Sequence, residues 1–167
     1  MDNKTIRLAF FTALAVSIYV LENFIPKPLP FMKLGLANVI VLILLWRREY
    51  GAAAIVAVAK IVIGGLFSGT LVSPTSLLAL AGTLTSFAIM CLLVYSNIKF
   101  SIVGISIAGA VFHNFGQLIL VRIVLIQQQA IFKILPYLIL LGIITGIITG
   151  YIAYILNIKL KYNKLEI

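Results

Sequence analysis

The chain has 167 residues, 63% of them hydrophobic and only 10% charged, and its mean hydropathy is +1.20. That composition lies far outside the range of soluble domains and implies an all-α integral membrane protein. The net charge of +9 does not point to nucleic acid, since the basic residues sit mostly between apolar runs, and the single Cys91, inside an apolar run, excludes an intramolecular disulfide and offers no metal cluster.

A helix needs about 20 mostly apolar residues to cross the hydrocarbon. Six spans are predicted, at roughly 6–25, 31–46, 50–67, 74–95, 101–126 and 134–157, packed as one compact membrane domain over 1–167. The start, MDNKTIRLAFF, has no small-residue cleavage site and reads as a retained first helix. Toward the far end of span 1 stand Glu22 and Asn23, followed by IPKPLP. Prolines forbid a continuous helix there, so the connector is either a fixed cap over an outward-facing cavity or a plain rigid link. Its Lys27 and Lys33 bring positive charge; of the two, Lys33 is the stronger binding candidate, and Glu22 and Asn38, the latter at the predicted helix start, are expected binding residues beside it.

Span 3 carries Lys60, roughly 13 Å from the start of its helix, counting about 1.5 Å per residue. A lysine at that depth costs at least about 2.5 kcal/mol on insertion scales and must face the bundle interior or a wet cavity with a partner. Before span 4, Ser73 and Pro74 read as an N-cap followed by the first helical residue. The free N–H groups there, with Ser73, Thr75 and Ser76, form either an anion site or an ordinary cap.

Span 5 holds the densest polar group: His113, Asn114 and Gln117 within AGAVFHNFGQLILVR. His113 and Gln117 share a helix face, and Asn114 lies about 100° around from His113. Two readings are open, interhelical hydrogen bonding and a ligand site, and the presence of Lys60 favours the second. A proton-relay role for His113 finds few acidic partners, since Glu22 is the only acid able to approach the interior. Gly116 can admit either a ligand or a neighbouring helix close to the backbone. Arg122 is half a turn away from His113, near the outer end, where it can reach headgroups or a ligand. Span 6 contains GIITGIITG, with Gly142, Gly146 and Gly150 at four-residue spacing, a smooth stripe suited to helix packing. Gly82 with Ser86, and Gly104 with Ala108, repeat that spacing.

On this threading Lys4, Arg7, Arg47, Arg48, Lys99, Lys159, Lys161 and Lys164 share one side, against Lys27, Lys33 and Lys133. The positive-inside rule then places both termini in the cytoplasm, with the chain multi-pass in the cell membrane. Lys60, Lys33, His113 and the start of span 4 are expected to converge on an anionic small molecule, and Phe31, Phe67, Phe112 and Phe115 would suit an apolar or ring-bearing part of it.

KLGLANVIVLILLW, GTLVSPTSLLALAGTLTS and especially GISIAGAVFHNFGQL resemble the Gx transporter family, often labelled heptaprenyl diphosphate synthase component I and similar in organisation to the substrate-binding S components of energy-coupling factor transporters. The resemblance implies a six-helix subunit, both termini inside, that binds a vitamin-like, flavin-like or isoprenoid molecule. It implies partnership with a membrane coupling subunit and two cytosolic ATPases, since the chain has no phosphate-binding glycine loop of its own. The family's small-residue stripe, which meets the coupling subunit, corresponds here to Ala9 and Ala13. The alternative is a non-catalytic accessory component of a prenyl diphosphate synthase. Prenyltransferases hold magnesium diphosphate on aspartate-rich motifs, and Asp2 is the only aspartate in this chain. No catalytic residue, cofactor or metal is expected.

Overall fold

The computed structural model describes residues 2–25, 35–96, 98–124 and 129–162. Among them no strand occurs, and the elements are helices α1 (Asn3–Phe24), α2 (Asn38–Trp46), α3 (Tyr50–Phe67), α4 (Pro74–Tyr95), α5 (Ile102–Val124) and α6 (Leu135–Tyr162), with a 3-10 turn at Gln129–Ile134 before α6. By length and composition α1, α3, α4, α5 and α6 can each cross a membrane. The chain is a multi-pass, all-helical membrane protein.

The second helix departs from the predicted span. It begins at Asn38 and has nine residues, about 13 Å of rise and less than half the hydrocarbon thickness. Gly35 supplies the reason, because its φ of +77° is left-handed and no right-handed helix passes through it. A tight turn follows, with the Asn38 N–H donating to the Gly35 carbonyl at 2.8 Å. Residues 26–34, which include the proline-rich connector, Lys27, Phe31 and Lys33, lie outside the described residues. Every side chain from Val39 to Leu45 is buried. α2 is therefore a central post, touched by α1, α3, α4, α5 and α6, and its uniformly apolar surface is what all-round burial requires.

The glycine stripe of α6 lies flat against α5. A Cβ at Gly142 would come 2.9 Å from the Cα of Val111, at Gly146 2.5 Å from the Cα of Ile107, and at Gly150 2.8 Å from the Cα of Val103. Both series step by four in opposite senses, so the two helices run antiparallel with backbone against backbone. On the other flank of α5, Gly109 faces Met90 and Ser86, and Gly116 faces Thr85 of α4. It is a helix, therefore, that the missing side chain of Gly116 admits. The same spacing at Gly104 and Ala108 brings no other helix onto Gly104, where a Cβ would meet only Ser101, just before α5.

Polar ties mark the two ends of the bundle. Arg7 of α1 pairs with Glu49 before α3, and the Arg47 Nε–H donates to Asn157 Oδ1 of α6 at 3.1 Å. The beginning of α1 and the end of α6 therefore stand at the same end, beside the α2–α3 turn. At the opposite end the Asn23 amide donates to Ser68 Oγ at 2.8 Å, joining α1 to α3.

Candidate functional site

Inside the bundle, α1, α2 and α3 bring three charged or amide side chains together. Lys60 of α3 is buried, and its Nζ donates to Oδ1 of Asn38, the first residue of α2. Glu22 of α1, also buried, accepts the Leu36 N–H at 2.7 Å on Oε1. That bond satisfies a backbone donor just before α2, where no intrahelical acceptor exists. The Glu22 carboxylate is also within electrostatic reach of the Lys60 ammonium. Glu22 therefore supplies part of the charge balance at Lys60, and the argument that Lys60 needs an anionic ligand for neutrality no longer stands alone. Tyr19, one turn before Glu22, closes the cluster, its ring lying so tightly on Gly64 that a Cβ there would be 2.5 Å from Cδ1.

The polar strip of α5 divides between two neighbours. The Asn114 amide donates to the Leu138 carbonyl of α6 at 2.9 Å. His113 and Gln117 turn instead toward α4, where Gly82 makes room: a Cβ at that position would be 2.8 Å from the His113 ring and 2.9 Å from Gln117. All three are buried. The angular separation along the helix explains the division, for residues about 100° apart face different partners.

Between these clusters lies a cavity of about 20 Å³, lined by Asn38, Ser86, Ser106, His113, Asn114 and Thr149 among others. Asn38 is the hinge of the arrangement, since it both contacts Lys60 and faces this cavity. The volume suits about one water molecule. Ligand pockets for vitamin-sized molecules run to roughly 300–1,000 Å³, so this centre is closed around itself.

Other expected contributors stand elsewhere. Arg122 is half-buried in the last turn of α5 and does not line the cavity. Ser73 does take the extended N-cap conformation before Pro74, yet its hydroxyl makes no cap bond and donates to the Thr70 carbonyl at 2.6 Å. The Thr75 hydroxyl donates to Ser73 Oγ, whose own hydrogen is already engaged, and Ser76 donates to the same Thr70 carbonyl. The turn consumes these hydroxyls, and none of the three lines the cavity. Phe67, Phe112 and Phe115 are exposed on the bundle exterior, with the last two rings edge-to-face at 6.2 Å. The apolar wall of the cavity comes instead from Val39, Leu42 and Met90. Ala9 and Ala13 are exposed on the outer side of α1, two turns and one turn respectively before the exposed Ser17.

Sequence reasoning missed Ser106 and Thr149, whose hydroxyls lie 2.9 Å apart between α5 and α6. Hydroxyl residues in membrane helices commonly bond back to their own helix, as Thr149 does to the Thr145 carbonyl at 2.8 Å, and so carry no distinctive signal. Among the described residues no three His, Cys, Asp or Glu side chains gather into a metal-binding group.

No curated protein and no solved structure matches the chain. The family model for heptaprenyl diphosphate synthase component I matches residues 11–156, the greater part of the 167 residues, and the chain belongs to that family.

Proposed function

We propose that this protein is a membrane-embedded, non-catalytic binding subunit, organised like the S component of an energy-coupling factor transporter. It holds a small molecule bearing a carboxylate or phosphate at the Lys60–Asn38–His113 centre. The observation that carries this reading is the density of buried hydrogen-bonding groups inside the bundle, Glu22, Lys60, His113, Asn114 and Gln117 from three helices, with Asn38, the partner of Lys60, facing the same cavity as His113 and Asn114. Polar groups at such depth are costly and mark pathways and sites more often than packing. Binding requires α2 to move away from α5 and α6, with the ligand anion taking the place of Asn38 at the Lys60 ammonium. Lys33, from the connector before α2, adds charge at the outer side, and Arg122 serves at most as a peripheral contact. The exposed Ala9 and Ala13 form the face on which a membrane coupling subunit docks, and that subunit brings two cytosolic ATPases. Both termini are cytoplasmic in this reading, and the membrane is the cell membrane.

The family's name supports a second reading, in which the chain is an accessory membrane partner of a heptaprenyl diphosphate synthase. One purification separates the two. Affinity-tagged full-length chain is solubilised from native membranes, and both its small molecules and its protein partners are identified by mass spectrometry. The transport reading expects a retained carboxylate- or phosphate-bearing molecule, lost in a Gln117→Leu variant, and coupling and ATPase subunits. Recovery of a synthase subunit with no small molecule would replace it by the accessory reading.

A further inference from the structure

At the end of the bundle where α1 begins and α6 ends, a second hollow has different chemistry from the central one. It is a cleft of about 390 Å³ bounded by the end of α2, the end of α4 and the first turn of α5. Two cations, Arg48 and Lys99, line it, together with Trp46 and an apolar wall that includes Leu93, Phe100 and Ile105, and among the described residues no acidic side chain lines it. The neighbouring cations already have partners: Arg7 has Glu49 and Arg47 has Asn157. Arg48 and Lys99 make no side-chain hydrogen bond or ion pair among the described residues.

The backbone at Arg48 adds an independent observation. Its φ is 60°, a left-handed conformation that glycine adopts with less strain than any residue bearing a Cβ. The position ends α2, with the Glu49 N–H reaching back to the Leu44 carbonyl at 2.9 Å, as in the common glycine-terminated helix. A long cation stands where the turn alone calls for glycine.

We propose that this cleft binds the phosphate head group of an anionic phospholipid. Arg48 offers a planar, paired-donor face to the phosphate oxygens, Lys99 adds a second charge, and an acyl chain runs along Leu93 and Phe100. A phospholipid fits better than a free anion because the wall is apolar and continues onto the exposed Leu92 and Tyr95 of α4. Trp46, half-exposed at the rim, suits the headgroup level, where amphipathic rings partition. Basic hollows between membrane helices recognise anionic headgroups by this combination of charge and apolar surface.

The test uses the full-length chain in nanodiscs of phosphatidylcholine with and without phosphatidylglycerol, and scores retained lipid by native mass spectrometry alongside the melting temperature. The wild type is expected to retain phosphatidylglycerol in preference to phosphatidylcholine and to melt higher in its presence. Arg48→Gly relieves the left-handed backbone while deleting the cation, so it folds at least as well, and its preference should fall about fivefold. Lys99→Gln should lower it by a similar factor. A control carrying Lys4→Gln and Lys159→Gln removes twice the charge of either single variant from the same end and should still keep the preference. An equal loss in that control would overturn the site in favour of diffuse attraction. Inorganic phosphate raising the melting temperature of lipid-depleted protein as much as phosphatidylglycerol does would overturn the lipid assignment.

Discussion

A single amide, that of Asn38, connects the two polar groups of this bundle; the sequence marks it as a binding candidate at a helix start but not as the link between them. Lys60, His113, Asn114 and Gln117 were legible because a polar side chain inside an apolar run has few inexpensive explanations. Their pairings were not, since Lys60 meets a residue 22 positions earlier and Asn114 one 24 positions later. The proximity of Glu22 to Lys60 makes a measurable claim. Removing either charge alone strands the other in the interior, which costs more than removing both. Unfolding free energies of Lys60→Met, Glu22→Gln and the double variant, measured in detergent, should therefore show a coupling of about 1–3 kcal/mol. Additive losses would mean that the two charges are solvated separately.

For the helices, spacing of small residues was a better guide than spacing of large ones. The α6 stripe could be read directly, because a four-residue repeat of glycine leaves one face without side chains, and that face does lie on the α5 backbone. On α5 the same spacing occurs at Gly104 and Ala108, yet the close approaches to α4 are at Gly109 and Gly116. Spacing gives a smooth face but not the direction in which it points. The difference is testable with one methyl group. Gly146→Ala forces a Cβ to within 2.5 Å of the Ile107 Cα, so it should destabilise the fold by about 1–3 kcal/mol. Gly104→Ala meets no other helix and should be neutral or stabilising by up to about 1 kcal/mol. Thermal unfolding of both variants under one condition checks the contrast.

Over the whole molecule the sequence offers six apolar segments, and among the described residues five helices are long and apolar enough to span. The shortfall in α2 was hidden because hydropathy averages over Gly35, whose positive φ interrupts the segment. The ties Arg7–Glu49 and Arg47–Asn157 put the start of α1 and the end of α6 together, and the basic residues clustered there lead us to expect the cytoplasm on that side. In a chain whose Cys91 has been replaced by alanine, Lys4→Cys and Lys159→Cys should both react with a membrane-impermeant thiol reagent only after the cytoplasmic face is opened. Reaction of either from outside intact cells would reverse the orientation.

The short α2, started by a turn and steadied by Glu22, also bears on how the chain assembles as it leaves the ribosome. A nine-residue helix is too brief to hold itself across a bilayer, and its first amides need an acceptor in a medium that supplies none. Glu22 is synthesised before Leu36, so that acceptor is waiting when the turn forms, and Lys60 arrives with the next helix. The first 67 residues can thus complete their charged cluster before the histidine-bearing helix exists. The later helices then close over a polar nucleus that is already built, and the central cavity is defined last, by the docking of α5 and α6 as a zipped pair.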